Sequence, residues 1–599
     1  MRREFGLLTF LAGVTVLAFA IGGRDDNPDL KTPQKSLDRF RSLKVGAFIH
    51  WGPSSQTGQE ISWSRGVGVP REKYDNLYKT FNPVGFNADE WVRLFKAAGF
   101  RYIVYVPKHH DGFCMWNTGT TDHNVMNTPF RRDVTKELSA ACKRQGMTFC
   151  LYYSIADFYN PDYPHPAYPW GPGDGNYGGA GYRLPAGQMP DFDRYVLYME
   201  TQLRELSQNY GPILAWWFDA NWSPYWTHAR GSDLYAYMRK LQPDVLMDNR
   251  VGGAYNGAVY EPTWFASERN EPGDYAVLET DMPRFNRDIP WEFTKPAKKI
   301  YSWCPGPSGD VGTWIDWIVK SACGDGNFNL GISATPHGEF EPELAAKLKL
   351  LGRWLERNGE SIYDTRGGPY ERTDWYGSTC RGNRVYLHVF KTERGALTIP
   401  PLPLKITSCH LINGAAVNVN QTQKNVRVTI REHDLQPTDT IVVLSLNGSA
   451  EQIKPIEERP VNQGAAVRAS NVRQNKPHYA AEHASDGDMS TYWATDDGVK
   501  DAYLEYDLGR ERTFSRAILF EGEEEAQLAR IRHIQIQVKL DGEWKTVSDV
   551  LPGGNGEPWP LSVMHPEIRF TPVTARFVRL QILGSTGSPV IHEFKLFER

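Results

Sequence analysis

From Val45 to Asp364 the chain alternates short, continuous apolar runs with longer stretches whose apolar residues recur at spacings of three and four. The runs Val45 to Ile49, Tyr102 to Val106, Thr148 to Tyr152, Ile213 to Phe218, Val245 to Met247 and Asn327 to Ile332 have the length and composition of strands. Between them, Asp89 to Ala98, Asp133 to Arg144, Asp191 to Asn209 and Glu341 to Arg357 read as amphipathic helices. A strand that is apolar throughout is buried on both faces, which calls for parallel pairing under a cover of helices. Over a region of this size the pattern predicts a (β/α)8 barrel across residues 30–365. No GxGxxG or GxxxxGK[ST] run follows the early strands, so a nucleotide-binding open sheet is not expected.

The residues that follow the strands sharpen the reading. His50-Trp51 follows the first, Lys108-His109-His110-Asp111 the second, Tyr153-Ser154 the third, Asp219 the fourth and Asn249-Arg250 the fifth. A single polar residue at a strand end is commonly a helix cap or a turn former. Polar and aromatic residues at successive strand ends of a barrel instead converge on one mouth, where active sites are built. The pair His109-His110 could suggest a metal, but consecutive side chains diverge and no HExxH or carboxylate triad accompanies them. The expectation is therefore no metal and no cofactor.

After the barrel the pattern turns to β. Arg384 to Phe390 and Val426 to Ile430 alternate, and residues 366–447 are expected to form a small antiparallel β-sandwich. Residues 448–463, polar and Pro-containing, read as a linker, and short strands resume over 464–599. At the other end, Arg2 and Arg3 precede the apolar run Gly6 to Ile21, with Ala18-Phe19-Ala20 offering a cleavage site; residues 1–20 read as a signal peptide and the protein as exported, periplasmic or secreted. The run is short for a membrane span, so the mature chain is expected to have none. Lys+Arg 67 against Asp+Glu 71 leaves no broad basic surface, and nucleic acid is not an expected partner. The seven cysteines form no CxxC spacing. Phe, Trp and Tyr make up 13% of the chain, with 19 Trp, a supply of flat faces suited to stacking on sugar rings.

The ordered set Phe48-Ile49-His50-Trp51-Gly52, Lys108 to Phe113, Leu151-Tyr152-Tyr153-Ser154, Trp217-Phe218-Asp219, Asn249-Arg250, Gly273-Asp274-Tyr275 with Glu279, Trp291-Glu292-Phe293 and Gly326 to Leu330 resembles the motifs of the α-L-fucosidases of glycoside hydrolase family 29. The C-terminal stretch, with Ala484 to Trp493, Arg576 to Leu580 and Ile591 to Phe594, is similar to discoidin or coagulation-factor type C domains, a galactose-binding-like β jelly-roll. The resemblance implies a retaining exo-glycosidase acting on terminal α-L-fucose of a glycan, with Asp219 as nucleophile and Glu279 as acid/base. Glu268 and Glu271 are the alternatives for the acid/base, and Glu292 is read as a supporting polar contact. The resemblance also implies that His50, His109, His110, Tyr153 and Arg250 hold the sugar hydroxyls, that Glu60 accepts from hydroxyls, and that Trp63 or Trp217 lines the C5 methyl. Two other readings remain at this stage: an exo-glycosidase for a fucose-like sugar such as an α-L-galactoside, and a catalytically silent glycan-binding protein.

Overall fold

The computed structural model describes residues 32–163, 184–185, 187–223, 225–252, 272–279, 282–456, 459–488, 491–521, 530–551 and 567–598. The signal-like segment and Glu268 and Glu271 lie outside the described residues. Strands β1 (Val45–Ile49), β2 (Tyr102–Tyr105), β3 (Thr148–Ser154), β4 (Ala215–Asp219), β5 (Leu246–Met247), β6 (Ala276–Leu278), β7 (Trp291–Pro296) and β8 (Asn327–Ile332) form one eight-stranded sheet in the order β5-β4-β3-β2-β1-β8-β7-β6. The ladders are parallel, and a parallel bridge between Asp248 and Tyr275 closes β5 onto β6. This is the expected (β/α)8 barrel. The expected helices are present as Ala88–Ala97, Val134–Gln145, Phe192–Asn209 and Pro342–Asn358, joined by His228–Leu241 and Val311–Cys323. Asp133, Asp191, Asp310 and Thr227 cap four of them, each side chain accepting from an N–H in the first turn.

Side-chain parity divides the barrel into two layers. Phe48, Tyr102, Val104, Cys150, Tyr152, Ala215 and Trp217 fill the interior. Their alternates Ala47, Ile49, Ile103, Leu151, Tyr153, Trp216 and Phe218 pack outward beneath the helices. At β5–β6 the chains approach closely: a Cβ on Gly273, which has φ 136°, would lie 2.7 Å from the Asn249 Cα. Glycine is required there.

The following sandwich packs a five-stranded antiparallel sheet against a three-stranded one, between Arg366–Gly367 and Thr440–Leu446. Arg287, on the loop between β6 and β7, fastens it to the barrel by donating to the carbonyls of Gly367, Glu451 and Ile453. The stretch read as a linker is packed in the part described: Ile453 and Val461 are buried, and the Asn462 side chain donates to the Phe594 carbonyl and accepts from the Leu596 N–H. The last domain is an antiparallel sheet of seven strands among the described residues. Two of its strands, Ala502–Glu521 and Glu567–Ser585, are long, with register shifts that let the first pair successively with different neighbours around a core including Trp493, Leu504, Phe514 and Ile534. All seven cysteines are free, and no described helix is long and apolar enough to cross a membrane.

Candidate active site

The barrel mouth gathers Asp219 at the end of β4, Arg250 in the short turn Asn249–Val251 after β5, and Glu279 just past β6. Ala220, with φ 72°, turns the chain so sharply that its own N–H donates to Asp219 Oδ1 at 2.7 Å. A non-glycine residue in this region is strained, and the surrounding packing holds it there. Arg250 Nη1 lies 2.8 Å from the same oxygen, and its Nη2 lies 2.7 Å from Glu279 Oε1. One guanidinium therefore spans two carboxylates. It rests over the Trp217 ring, 4.7 Å from the centroid. Asn249 prepares this contact by accepting from the Val277 N–H and donating its own N–H to the Tyr275 carbonyl, which draws β6 toward Arg250.

The second carboxylate oxygen, Asp219 Oδ2, accepts from the Tyr152 hydroxyl at 2.9 Å and lies 3.7 Å from His110 Nε2. Tyr152 was not among the expected binding residues; its neighbour Tyr153 was. The structure turns Tyr152 into the barrel interior and Tyr153 outward. Tyr153 is on the outward parity of β3, and its hydroxyl donates to Gln202 Oε1 at 2.7 Å, with Lys108 Nζ 4.3 Å from its ring centroid. A strand presents alternate residues to opposite faces, so Trp217, Asp219 and Tyr152 share the interior while Tyr153 cannot reach it.

Each of the two adjacent histidines is held at Nδ1 by a serine hydroxyl. The Ser154 hydroxyl donates its only proton to the Ala156 carbonyl, so the 2.6 Å contact with His110 Nδ1 needs the ring to donate. In the neutral ring Nε2 is then an acceptor. At His109, Nδ1 lies 2.6 Å from Ser62 Oγ, which also accepts from the Asp111 N–H. Burial, followed by the charge of His110, holds His109 well below the usual imidazole range. His50 is lowered in the same way by burial and then by His109. Its Nδ1 is buried with no hydrogen-bond partner among the described residues. Burial thus favours the uncharged form of His50 and His109, and an uncharged imidazole offers a sugar hydroxyl one donor and one acceptor.

Trp63, Trp222 and Phe158 stand around His110, with Trp63 and Trp222 centroids 6.0 Å apart. Phe48, Tyr301 and Trp217 form the opposite wall below His50. Trp63 and Trp217 are thus both at the mouth, on different walls. Glu60 is engaged otherwise than expected: its carboxylate accepts from the N–H groups of Ile61, Tyr301 and Ser302 and from the Ser302 hydroxyl. These donors use the capacity assigned to a sugar hydroxyl and tie two mouth loops together. Glu292 lies beneath the site in the barrel interior, accepting from Tyr102 at 2.5 Å and Asn329 at 3.3 Å, and burial pushes it up to about 7. Asp274 is a buried partner of Arg239, Tyr235 and the Met247 N–H. His109, His110 and Asp219 have ligand atoms within 4.8 Å of one another, and both Asp219 oxygens are already engaged, by Arg250 and by Tyr152.

A (β/α)8 barrel whose mouth holds two carboxylates, buried histidines and aromatic walls defines a glycoside hydrolase. Residues 25–360 match the model of the alpha-L-fucosidase family, and 466–594 that of the F5/8 type C domain. The chain belongs to the α-L-fucosidase family. The plasma alpha-L-fucosidase of Rattus norvegicus is 28% identical over 392 residues, covering 59% of this chain and 78% of that one. The structure of alpha-L-fucosidase isoenzyme 1 from Paenibacillus thiaminolyticus is 28% identical with a TM-score of 0.61, covering 70% of this chain and all of that one. The alpha-L-fucosidase from Vibrio sp. strain EJY3 is 20% identical and shares the fold across 94% of both chains, with a TM-score of 0.67.

Proposed function

We propose that the protein is an exported, retaining exo-α-L-fucosidase that releases terminal α-L-fucose from oligosaccharides or glycoconjugates. The observation that carries the reading is the Arg250 guanidinium set between Asp219 and Glu279. Held on one guanidinium, the carboxylates are close, as double displacement requires: about 5–5.5 Å, against about 6.5–9.5 Å when a water must fit between nucleophile and sugar. Asp219 attacks C1 as Glu279 gives its proton to the departing glycosidic oxygen. Glu279 then takes a proton from water, whose oxygen attacks C1 and frees Asp219. Oδ1 is oriented by Arg250 and the Ala220 N–H and Oδ2 by Tyr152, so the nucleophile does not rotate between the steps.

The sugar sits on a floor of Phe48 and Trp217 with its hydroxyls toward His50, His109 and His110. The Arg2-Arg3 and Gly6 to Ile21 pattern supports export. Proton NMR early in hydrolysis of an aryl α-L-fucoside should show α-fucose before mutarotation, and methanol should yield methyl α-L-fucoside. Initial β-fucose would overturn retention, and faster release from the aryl α-L-galactoside would overturn the sugar assignment.

A further inference from the structure

Beneath Asp219, the ladder between β4 and β5 is completed by a side chain. The N–H groups of Leu246 and Asp248 donate to the carbonyls of Leu214 and Trp216, so the next donor on β4 that faces β5 is the Phe218 N–H. The chain leaves β5 at Asn249, where the short Asn249–Val251 turn begins, and the Asp248 carbonyl accepts from the Val251 N–H instead. Asp248 supplies the missing acceptor with its carboxyl: Oδ1 accepts from the Phe218 N–H at 3.0 Å. A buried amide is thereby satisfied one residue before Asp219, the last residue of β4.

Asp248 is fully buried, and its other oxygen, Oδ2, has no hydrogen-bond partner among the described residues. A buried carboxylate ion needs several donors in place of lost water, and here a single amide is supplied. Burial drives the group well above the ordinary carboxylate range; Arg250 and the Phe218 N–H pull it down, and Asp219 and Glu292 push it up again. Tyr275, which also faces it, gives its proton to the Trp216 carbonyl. The neutral acid keeps its proton on Oδ2 and accepts the amide on Oδ1. Its lack of charge matters because the Arg250 guanidinium is already divided between Asp219 and Glu279. An anion at position 248 would compete for that guanidinium and repel Asp219.

We propose that Asp248 is a positioning residue for the reaction: a neutral carboxyl that fixes the Phe218–Asp219 end of β4 while leaving the Arg250 charge to Asp219 and Glu279. The inference rests on Asp219 being the nucleophile. Asp248 acts through Asp219 and Arg250 and does not meet the sugar.

The test is steady-state hydrolysis of an aryl α-L-fucoside across pH by the full chain carrying Asp248→Ala, Asp248→Asn or Asp219→Ala. Asp248→Ala leaves the Phe218 amide without its acceptor, and kcat is expected to fall roughly tenfold, the effect of one lost hydrogen bond beside the reacting atoms, with KM within about twofold. Asp248→Asn has the shape of the neutral acid and should restore kcat to within about threefold of the wild type, with the acid limb of the pH profile unmoved. Where Asp248→Ala fails to fold, difference infrared spectroscopy of the wild type against Asp248→Asn carries the test: at neutral pH one protonated-carboxyl C=O band should vanish in the variant. Wild-type kcat in Asp248→Ala, a loss in Asp248→Asn as deep as that in Asp248→Ala, a shifted acid limb in Asp248→Asn, or no missing protonated-carboxyl band would each overturn the proposal. Turnover by Asp219→Ala would instead overturn the nucleophile assignment, and this inference with it. An inactive Asp219→Ala beside an unaffected Asp248→Ala overturns the positioning role alone.

Discussion

His110 donates from Nδ1 to Ser154, and the serine passes its own proton to the Ala156 carbonyl, so a chain of two hydrogen bonds fixes which face of the imidazole the substrate meets. Nε2 points toward Asp219 Oδ2 across 3.7 Å. A substrate hydroxyl entering beside that pair can donate to either acceptor. Ser154→Ala removes the tautomer lock without touching substrate, and kcat/KM is expected to fall roughly tenfold, the effect of one misdirected hydrogen bond. The matching Ser62→Ala should act through His109 in the same way. Fucose-inhibitor affinity should fall in parallel; unchanged affinity and rate in both variants would show that the serines only fill space.

The two tyrosines of β3 separate site from scaffold. Tyr152→Phe withdraws a hydrogen bond from the nucleophile and is expected to lower kcat by roughly 10- to 100-fold with little change in melting temperature. Tyr153→Phe strands the buried Gln202 oxygen, at a cost of about 1–3 kcal/mol in stability, while kcat stays near the wild-type value. Comparing unfolding curves with rates for the pair would reveal a reversed assignment at once.

Asp219→Ala should abolish turnover yet fold, and azide should restore part of the rate on an activated aryl fucoside by occupying the vacated position. Glu279→Ala should spare substrates whose phenolate leaves unaided and damage natural glycosides, whose leaving oxygen needs a proton. Equal damage to both would move the acid/base role to Glu268 or Glu271.

Glu292 gives a pH signature in stability. Its folded pKa, about 7, lies above its ordinary 4.5, so the folded state favours the protonated form. That contribution is complete below about pH 4.5 and is lost as pH rises to about 7, on the order of 3 kcal/mol in all. Glu292→Gln should therefore be flatter than the wild type between these limits when unfolding is followed by denaturant titration. A wild-type curve parallel to that of the variant would show that burial does not hold the proton.

The barrel was legible because its strands are apolar throughout and its helices carry polar caps, signals that survive without tertiary information. Strands β6 and β7 gave weaker signals: Ala276–Leu278 is three residues long, and Trp291–Pro296 carries Glu292 and Lys295 among its apolar positions. Which of Tyr152 and Tyr153 faces the interior was not legible because a strand buried on both faces shows no alternation to reveal which parity faces inward. Only Asp219, two positions after Trp217 and four after Ala215, carries that phase through the β3–β4 register, where Tyr152 pairs with Trp217. The loop contacts of Glu60 were not legible for another reason: a carboxylate between mouth loops looks the same in sequence whether its partners are hydroxyls of a sugar or amides of a neighbouring loop.

The single bridge by which β5 meets β6 has a bearing on motion. Elsewhere the barrel strands are laced by ladders of two to five pairs, but here, among the described residues, one backbone bridge, Asp248 to Tyr275, makes the join with the hydrogen bonds of Asn249 and Asp274 beside it, and β5 itself is two residues long. Local opening follows the line of fewest shared amide bonds. It would part Glu279 from Asp219 while Asp219 stays moored to β3. Deuterium should enter the amides of Leu246 to Met247 and Ala276 to Leu278 ahead of those in β1 to β3. The give in this enzyme lies on the side where a leaving group departs and a water arrives.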